Sequence, residues 1–406
     1  MPRTTATATV TLLAPDGIRS IATLNEAPGY SKPTGPLRSR VAYAAAHVVP
    51  KTWADNTPGS PAEIDWDTTL GFRRHVYSWG LGVADAMDTA QRNMGLDAAA
   101  TRELVSRSAQ VAREEGGSVV VGVNTDHVDA EVISVAEVVD AYKHQLHFAE
   151  DQGAGPVLMA SRHLARVASS EADYLRVYGA VLQAAGAPVV LHWLGTAFDP
   201  QLEGYFGSSD WSRASEVLLR IIAENPGRVA GVKMSLLDAA AEVSVRERLP
   251  EQVRMFTGDD FNYVGLIGGA DVEAAVQPPR DPASTRQHSD ALLGAFAALT
   301  PAASAAIQAL DASDPDAYLR ILGPTEQLSR HVFAVPTFYY KTGVAFLSWL
   351  NGHQDAFQLV GGLHSARSLP HLSRIVELAN AAHALEQPEL AARRWHGMLR
   401  LNGVDA

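Results

Sequence analysis

Cysteine is missing from all 406 residues of the chain. Disulfides, thiolate nucleophiles and Cys-ligated zinc are therefore excluded. Long apolar runs are missing too: none approaches the ~18 residues of a membrane span. The first residues, Met1-Pro2-Arg3-Thr4-Thr5, are polar and hold no apolar signal core, so a cytoplasmic protein is the expectation. Basic charge is in short supply. Against 33 Lys and Arg stand 45 Asp and Glu, a formal net charge of -12, which argues against a nucleic-acid partner. No Gly-x-Gly-x-x-Gly follows the first strand of the main repeat, so a dinucleotide-binding open sheet lacks its marker. There is no His-x-His after that strand and no His-Glu-x-x-His anywhere.

What is present is a hydrophobic content of 47%, enough for a sizeable core. Residues 8 to 23 read as a hairpin turning at Ala14-Pro15-Asp16-Gly17, where Pro fixes φ and Gly supplies positive φ. A Gly/Pro-rich linker runs from Ala27 to Pro36. From Arg40 short apolar runs alternate with amphipathic helical patterns. Strands are expected at 41–49, 81–87, 118–124, 156–160, 188–193, 229–233, 253–257 and within 291–299. Recurrence every ~25–40 residues is the signature of repeated βαβ units, and eight of them make a (β/α)8 TIM barrel. The expected division is a hairpin and linker over 1–39, the barrel over 40–300, and a C-terminal helical extension over 301–406. Helices in that extension are expected at 303–310, 314–329, 343–350, 369–385 and 388–401.

Lys233 ends the apolar run Val229-Ala230-Gly231-Val232. In a barrel, that end of a strand opens on the active site. Desolvation there disfavours the ammonium, and a neutral amine can attack a carbonyl to form a Schiff base. The plainer alternative is a lysine that reaches past the strand to water.

Gly231-Val232-Lys233-Met234-Ser235, followed by Phe256-Thr257-Gly258-Asp259-Asp260, resembles the dihydrodipicolinate synthase and N-acetylneuraminate lyase superfamily of class I aldolases. Leu96-Asp97 to Leu104 and Pro188-Val189-Val190-Leu191 extend the resemblance, which spans roughly Arg40 to Gln354. It implies a TIM barrel, a Schiff base on Lys233, no cofactor, a small-molecule carbonyl substrate, and a homodimer or homotetramer.

Two departures stand out. The tyrosine that members carry after the fourth strand is replaced by Ala160-Ser161-Arg162-His163. His192, after the fifth-strand Leu191, is the expected stand-in for proton movement. The members' Gly-Thr-Thr-Gly-Glu carboxylate turn is replaced by Met87-Asp88-Thr89-Ala90-Gln91-Arg92-Asn93. Thr89 keeps a hydroxyl. Asp88 would repel a substrate carboxylate unless offset by Arg92 or another cation, so a polyhydroxylated substrate suits this turn better. Lys233 and His192 are thus the candidate catalytic residues. Thr89, Asp88, Arg162, Asn124 and Asp259 are candidate substrate contacts, although Asp259 and Asp260 also fit as caps of the next helix. Tyr339, Tyr340 and Lys341 lie in a segment that, by resemblance, returns near the barrel, where core packing or an oligomer contact is the expectation.

The leading expectation is a Schiff-base lyase, an aldolase or dehydratase acting on a keto acid or a sugar-derived carbonyl compound. A second reading is a metal-dependent barrel aldolase or hydrolase with His47, Asp85, His127 and His192 as ligands. A third is a non-catalytic sugar-binding barrel.

Overall fold

The computed structural model describes residues 8–272 and 287–405. The leader reading of Met1 to Thr5 lies outside the described residues. Strands β1 (Thr9–Leu13) and β2 (Arg19–Thr23) pair antiparallel around the expected turn. Eight parallel strands then close on themselves: β3 (Ala42–Ala45), β4 (Gly82–Asp85), β5 (Val119–Val123), β6 (Gly155–Met159), β7 (Val189–Leu194), β8 (Val229–Ser235), β9 (Arg254–Thr257) and β10 (Asp290–Leu293). β10 pairs with β3 and completes the TIM barrel.

Helices separate the strands, and side chains at their starts explain where several begin. Asp65 accepts from Thr68 N ahead of α1 (Trp66–Ser78), and Asp97 accepts from Ala100 N ahead of α2 (Ala98–Glu115). Ser134 and Glu137 form a reciprocal capping box on α3 (Val135–Asp151). Next come α4 (Arg162–Val167), α5 (Glu171–Ala184), α6 (Trp211–Glu224), α7 (Ala239–Arg248) and α8 (Tyr263–Gly268).

Three expected elements differ in extent. β3 stops at Ala45, because the chain leaves the sheet there and Val49 N binds Thr69 Oγ1 instead. The segment 291–299 holds only the end of the last strand and then α9 (Ala295–Ala298). After α10 (Thr300–Asp311), the span 314–329 is not one helix. Pro324 has no amide hydrogen to continue it, so it divides into α11 (Pro315–Leu322) and α12 (Thr325–Val332). The chain ends with α13 (Tyr340–Leu350), α14 (Leu369–Ala381) and α15 (Pro388–Leu401). The N-terminal hairpin packs on this last group, with Trp395 Nε1 donating to Thr11 O at 2.7 Å.

Side chains alternate across each barrel strand. Inward positions form a small cluster that includes Ala45, Ala84, Val120, Val157, Met159, Val190, Phe256 and Leu292. The outward set joins the main core beneath the helices. Asp85 belongs to the outward set. Its carboxylate receives Arg73 Nε at 2.9 Å, Arg73 Nη2 at 2.8 Å and the Ser108 hydroxyl, tying β4 to α1 and α2. Arg73 and Asp85 side chains are both 0% exposed. Removing one partner strands the other charge in the core, so Asp85→Ala should cost about 3–5 kcal/mol. Replacing both with apolar residues of similar volume should recover most of that loss. Urea unfolding of the single and double variants measures both.

Candidate active site

Inward alternation decides what reaches the barrel's interior. On β7 it carries Val190 and then His192; on β8 it carries Gly231, Lys233 and Ser235. His192 and Lys233 are register partners on neighbouring strands, and Met159 is the partner of His192 on its other side. On β9 the same alternation runs through Phe256 and continues to Gly258 and Asp260. Gly258 is required by space: a Cβ there would sit 2.2 Å from Ser235 Oγ and 3.0 Å from Lys233 Cε.

The Lys233 side chain does not reach open water; the residue is 7% exposed. Burial lowers its amine to about 8, while the carboxylates of Asp260 and Asp88 act in the opposite sense. Asp260 is pushed up to about 8, first by burial, with the Ala295 amide and Lys233 partly offsetting this. Amine and carboxyl thus both move toward their neutral forms. A proton can pass between them with little change in total charge. His192 is held well below its usual range by burial and by Lys233. Its Nε2 faces Ser235 Oγ at 3.2 Å, and its Nδ1 has no hydrogen-bond partner.

The turn after β4 forms one wall. Asp88 and Thr89 lie on a short 3-10 turn flanked by positive-φ residues Ala86 (φ 47°), Gln91 (φ 66°) and Asn93 (φ 60°). Such strain persists only where surrounding contacts hold it. Here the C-terminal helices provide them. Gln91 Nε2 donates to Val360 O at 2.9 Å, and Val360 N donates back to Gln91 Oε1 at 3.1 Å. The first turn of α13 reaches over the barrel's mouth. Tyr340 OH lies 2.7 Å from Thr89 Oγ1 and 3.2 Å from Asp88 Oδ2. Lys341 Nζ donates to the same Asp88 oxygen at 3.1 Å. Tyr340 stacks on Phe333 with ring centroids 4.3 Å apart and meets Phe198 edge-on. The missing Cβ of Gly294 makes room, since that atom would lie 3.1 Å from the Tyr340 ring. Burial, and then Asp88, raise the Tyr340 phenol well above its usual range, so it keeps its proton.

Several expected roles change in this setting. Arg92 does not offset Asp88; its guanidinium is buried against Asp126, Gln145 and the carbonyls of Ala86 and Gly122. Lys341 is the cation beside Asp88. Asp259 is consumed by the turn ahead of α8, accepting from Phe261 N at 2.9 Å, Asn262 N at 3.1 Å and Asn262 Nδ2 at 2.8 Å. Its neighbour Asp260, expected to cap as well, is the one that faces Lys233. Arg162 begins α4 and donates to Asp199 at 2.7 Å; both lie close enough to act on Lys341. Asn124 ends β5 on the inward side, but its amide oxygen accepts from Thr125 N at 2.7 Å. The metal-ligand set proposed from sequence does not assemble. His47 pairs with Gln354, Asp85 with Arg73, and His127 with Gln145, all outside the barrel's interior, which leaves His192 alone.

Asp260 beside Lys233, and Tyr340, Lys341 and Asp199 around Asp88, are the neighbours that sequence reasoning missed. Inward alternation from Phe256 would have found Asp260. No local pattern marks the others, since Tyr340 lies 251 residues from Thr89.

The fold is shared with well-known enzymes. Dihydrodipicolinate synthase from Aquifex aeolicus matches at 13% identity with a TM-score of 0.59, covering 86% of this chain and 99% of that one. A monomeric dihydrodipicolinate synthase variant matches at 13% identity with a TM-score of 0.60, covering 86% and 98%. KD(P)GA from T. tenax matches at 17% identity with a TM-score of 0.56, covering 84% and 98%. No curated protein matches the sequence itself. No helix among the described residues is long and apolar enough to cross a membrane. Residues 10–404 match the family described as "Protein of unknown function (DUF993)", and the chain belongs to that family.

Proposed function

We propose that this protein is a Schiff-base lyase, an aldolase or dehydratase, in which Lys233 is the nucleophile. The observation that carries this reading is a buried primary amine, brought down to about 8, at the inner end of a barrel strand. The shared fold with dihydrodipicolinate synthase and KD(P)GA supports it as an analogy.

In this scheme Asp260 takes the proton of the Lys233 ammonium, leaving a free amine. The amine attacks a substrate carbonyl and forms a carbinolamine. Asp260 then returns a proton to the departing hydroxyl, water leaves, and the iminium forms. In carbon–carbon cleavage the iminium accepts the electron pair of the breaking bond and becomes an enamine; in dehydration it accepts the pair of the α carbon–hydrogen bond, and the enamine then expels the β hydroxyl, which leaves with its own pair and a proton as water. His192 is too strongly desolvated to charge readily. It holds a hydrogen bond to bound substrate, and the proton movement expected of it passes to Tyr340. That phenol keeps its own proton at rest, and with the Thr89 hydroxyl 2.7 Å away it can relay one, accepting a proton as it gives one up. Asp88, neutralised by Lys341, accepts hydrogen bonds from substrate hydroxyls, so a polyhydroxylated keto acid or ketose fits the site. A homodimer or homotetramer remains our proposal for assembly, tested by sedimentation at micromolar concentration.

Lys233→Arg keeps the charge and removes the reactive amine. It should fold and lose turnover by several orders of magnitude. Borohydride with a panel of keto acids and ketoses should add a reduced adduct to the wild-type mass but not to that of the variant. Retained turnover in Lys233→Arg would end the Schiff-base reading, and no adduct with any substrate would favour a binding barrel.

Tyr340→Phe keeps the stacking on Phe333 and removes only the hydroxyl. Turnover should fall about 10²–10⁴-fold, the range for a lost acid–base group, while adduct trapping at Lys233 persists. Equal turnover in the variant would remove Tyr340 from the chemistry.

The pH profile follows from Lys233. Free amine accumulates as pH rises while the Asp260 acid is lost, so kcat/KM should climb toward about 8 and fall above it. The negative charge of Asp260 raises the Lys233 value, so Asp260→Asn should move that rising limb to lower pH. A limb that stays in place, or moves up, contradicts the coupling.

A further inference from the structure

A second cluster of chemistry-bearing side chains lies outside the barrel, on its helical layer. His75 comes from the last turn of α1, His353 from the loop after α13, and Glu386 from the loop between α14 and α15. One ligand atom from each lies within 4.8 Å of the other two, and no other group of three His, Asp or Glu does this among the described residues. His353 Nε2 and Glu386 Oε1 are 2.8 Å apart. His75 Nε2 is buried and has no hydrogen-bond partner. The two imidazoles pack with centroids 4.2 Å apart, and both rest on Phe72.

We infer that His75, His353 and Glu386 form a structural site for a divalent transition metal of the zinc class, which fastens the C-terminal helices to barrel helix α1.

The donor set is two imidazoles and one carboxylate, which suits zinc with a water in the fourth position. Tetrahedral bonds of ~2.0–2.1 Å place ligand atoms about 3.3 Å apart, so the cluster needs to contract by less than about 2 Å. His353 Nε2 and Glu386 Oε1 already face each other, as two ligands of one cation would. Both loop ligands are held in place, His353 by its N donating to Ser348 O at 3.0 Å. Glu386 N donates to Asn351 Oδ1 at 3.0 Å, and Asn351 Nδ2 donates to Ala384 O at 2.9 Å. A surface cleft lined by Thr68, Phe72, His353 and Asp355 gives access from solvent. Lys32, on the N-terminal linker, opposes a cation beside His75, and Glu386 offsets it. Lys233 points into the barrel, so this metal would not touch the reacting carbon. It would stabilise the folded chain by binding the folded state alone.

The test uses the full-length chain without a histidine tag, titrated with Zn²⁺ against a chromophoric chelator. One zinc per chain is expected, together with a higher melting temperature on loading. His75→Ala and His353→Ala should each weaken binding more than about 100-fold, since losses in outer-shell partners alone cost 10–100-fold. If His353→Ala does not fold, Glu386→Gln keeps the volume and the contact to His353 and should show the same loss. A control pair, His331→Ala with His371→Ala, removes a stacked histidine couple elsewhere on the surface and should leave the affinity unchanged. The inference is overturned if wild type retains no zinc, if the three ligand variants bind as wild type does, or if the control pair is the one that loses the metal.

Discussion

Removing an ammonium from water costs several kcal/mol unless partners replace the lost solvation. Lys233 is 7% exposed, so the walls around it have to supply those partners or let it lose its proton. Both happen. Asp260 and Asp88 supply negative charge, and burial still wins, leaving the amine near the point where half of it is neutral. The same burial drives Asp260 toward its protonated form. The pair can therefore exist as ammonium and carboxylate, or as amine and acid, at similar cost. That near-equality is what a carbonyl-attacking lysine needs, because the nucleophile and the acid that later removes water arise in one proton transfer. Gly258 makes the arrangement possible, since any side chain there would occupy the space of the Lys233 stem.

The roof of the pocket comes from far along the chain. α13 brings Tyr340 and Lys341 onto the turn after β4, and Gln91 holds Val360 through both ends of its amide. The turn itself is strained at three non-glycine positions. Neither part holds its shape by itself. Asp88 without Lys341 would be a poorly compensated carboxylate, and Lys341, at 0% side-chain exposure, would be a buried cation without its paired carboxylate. The C-terminal helices thus serve the site directly, and their attachment to the barrel bears on its geometry.

The barrel was legible because parallel strands buried on both faces read as short apolar runs, and because Asp65, Asp97 and Ser134 mark helix starts by their side-chain chemistry. The residues 314–329 misled because their apolar spacing continues through Gly323-Pro324, where the backbone cannot. Lys233 and His192 were legible for a different reason: each ends an apolar run, and strand alternation places both inward. Asp260 was readable by the same alternation, yet two adjacent acids after a glycine look alike as helix caps. Only the backbone's direction separates Asp259, which closes the turn before α8, from Asp260, which faces the amine. Tyr340 and Lys341 had no such signal. Their placement depends on packing across 251 residues of chain, and aromatic residues in an apolar helix read as core.

The electrostatics of the mouth bear on what it would accept. Lys341 is paired with Asp88, Arg162 with Asp199, and Lys233 faces Asp260. A substrate carboxylate entering this pocket would have to break one of these pairs to gain a cation, and the abandoned carboxylate would then repel it. Hydroxyl groups face no such obstacle. They can donate to Asp88 while its bond to Lys341 persists, and they can exchange hydrogen bonds with Thr89, Tyr340 and the unpartnered Nδ1 of His192. On the proposed Schiff-base reading, charge balance favours a carbonyl compound recognised through its hydroxyls. A terminal carboxylate, where present, would bind at the outer edge beside Arg162, the more exposed of the paired cations at 29%.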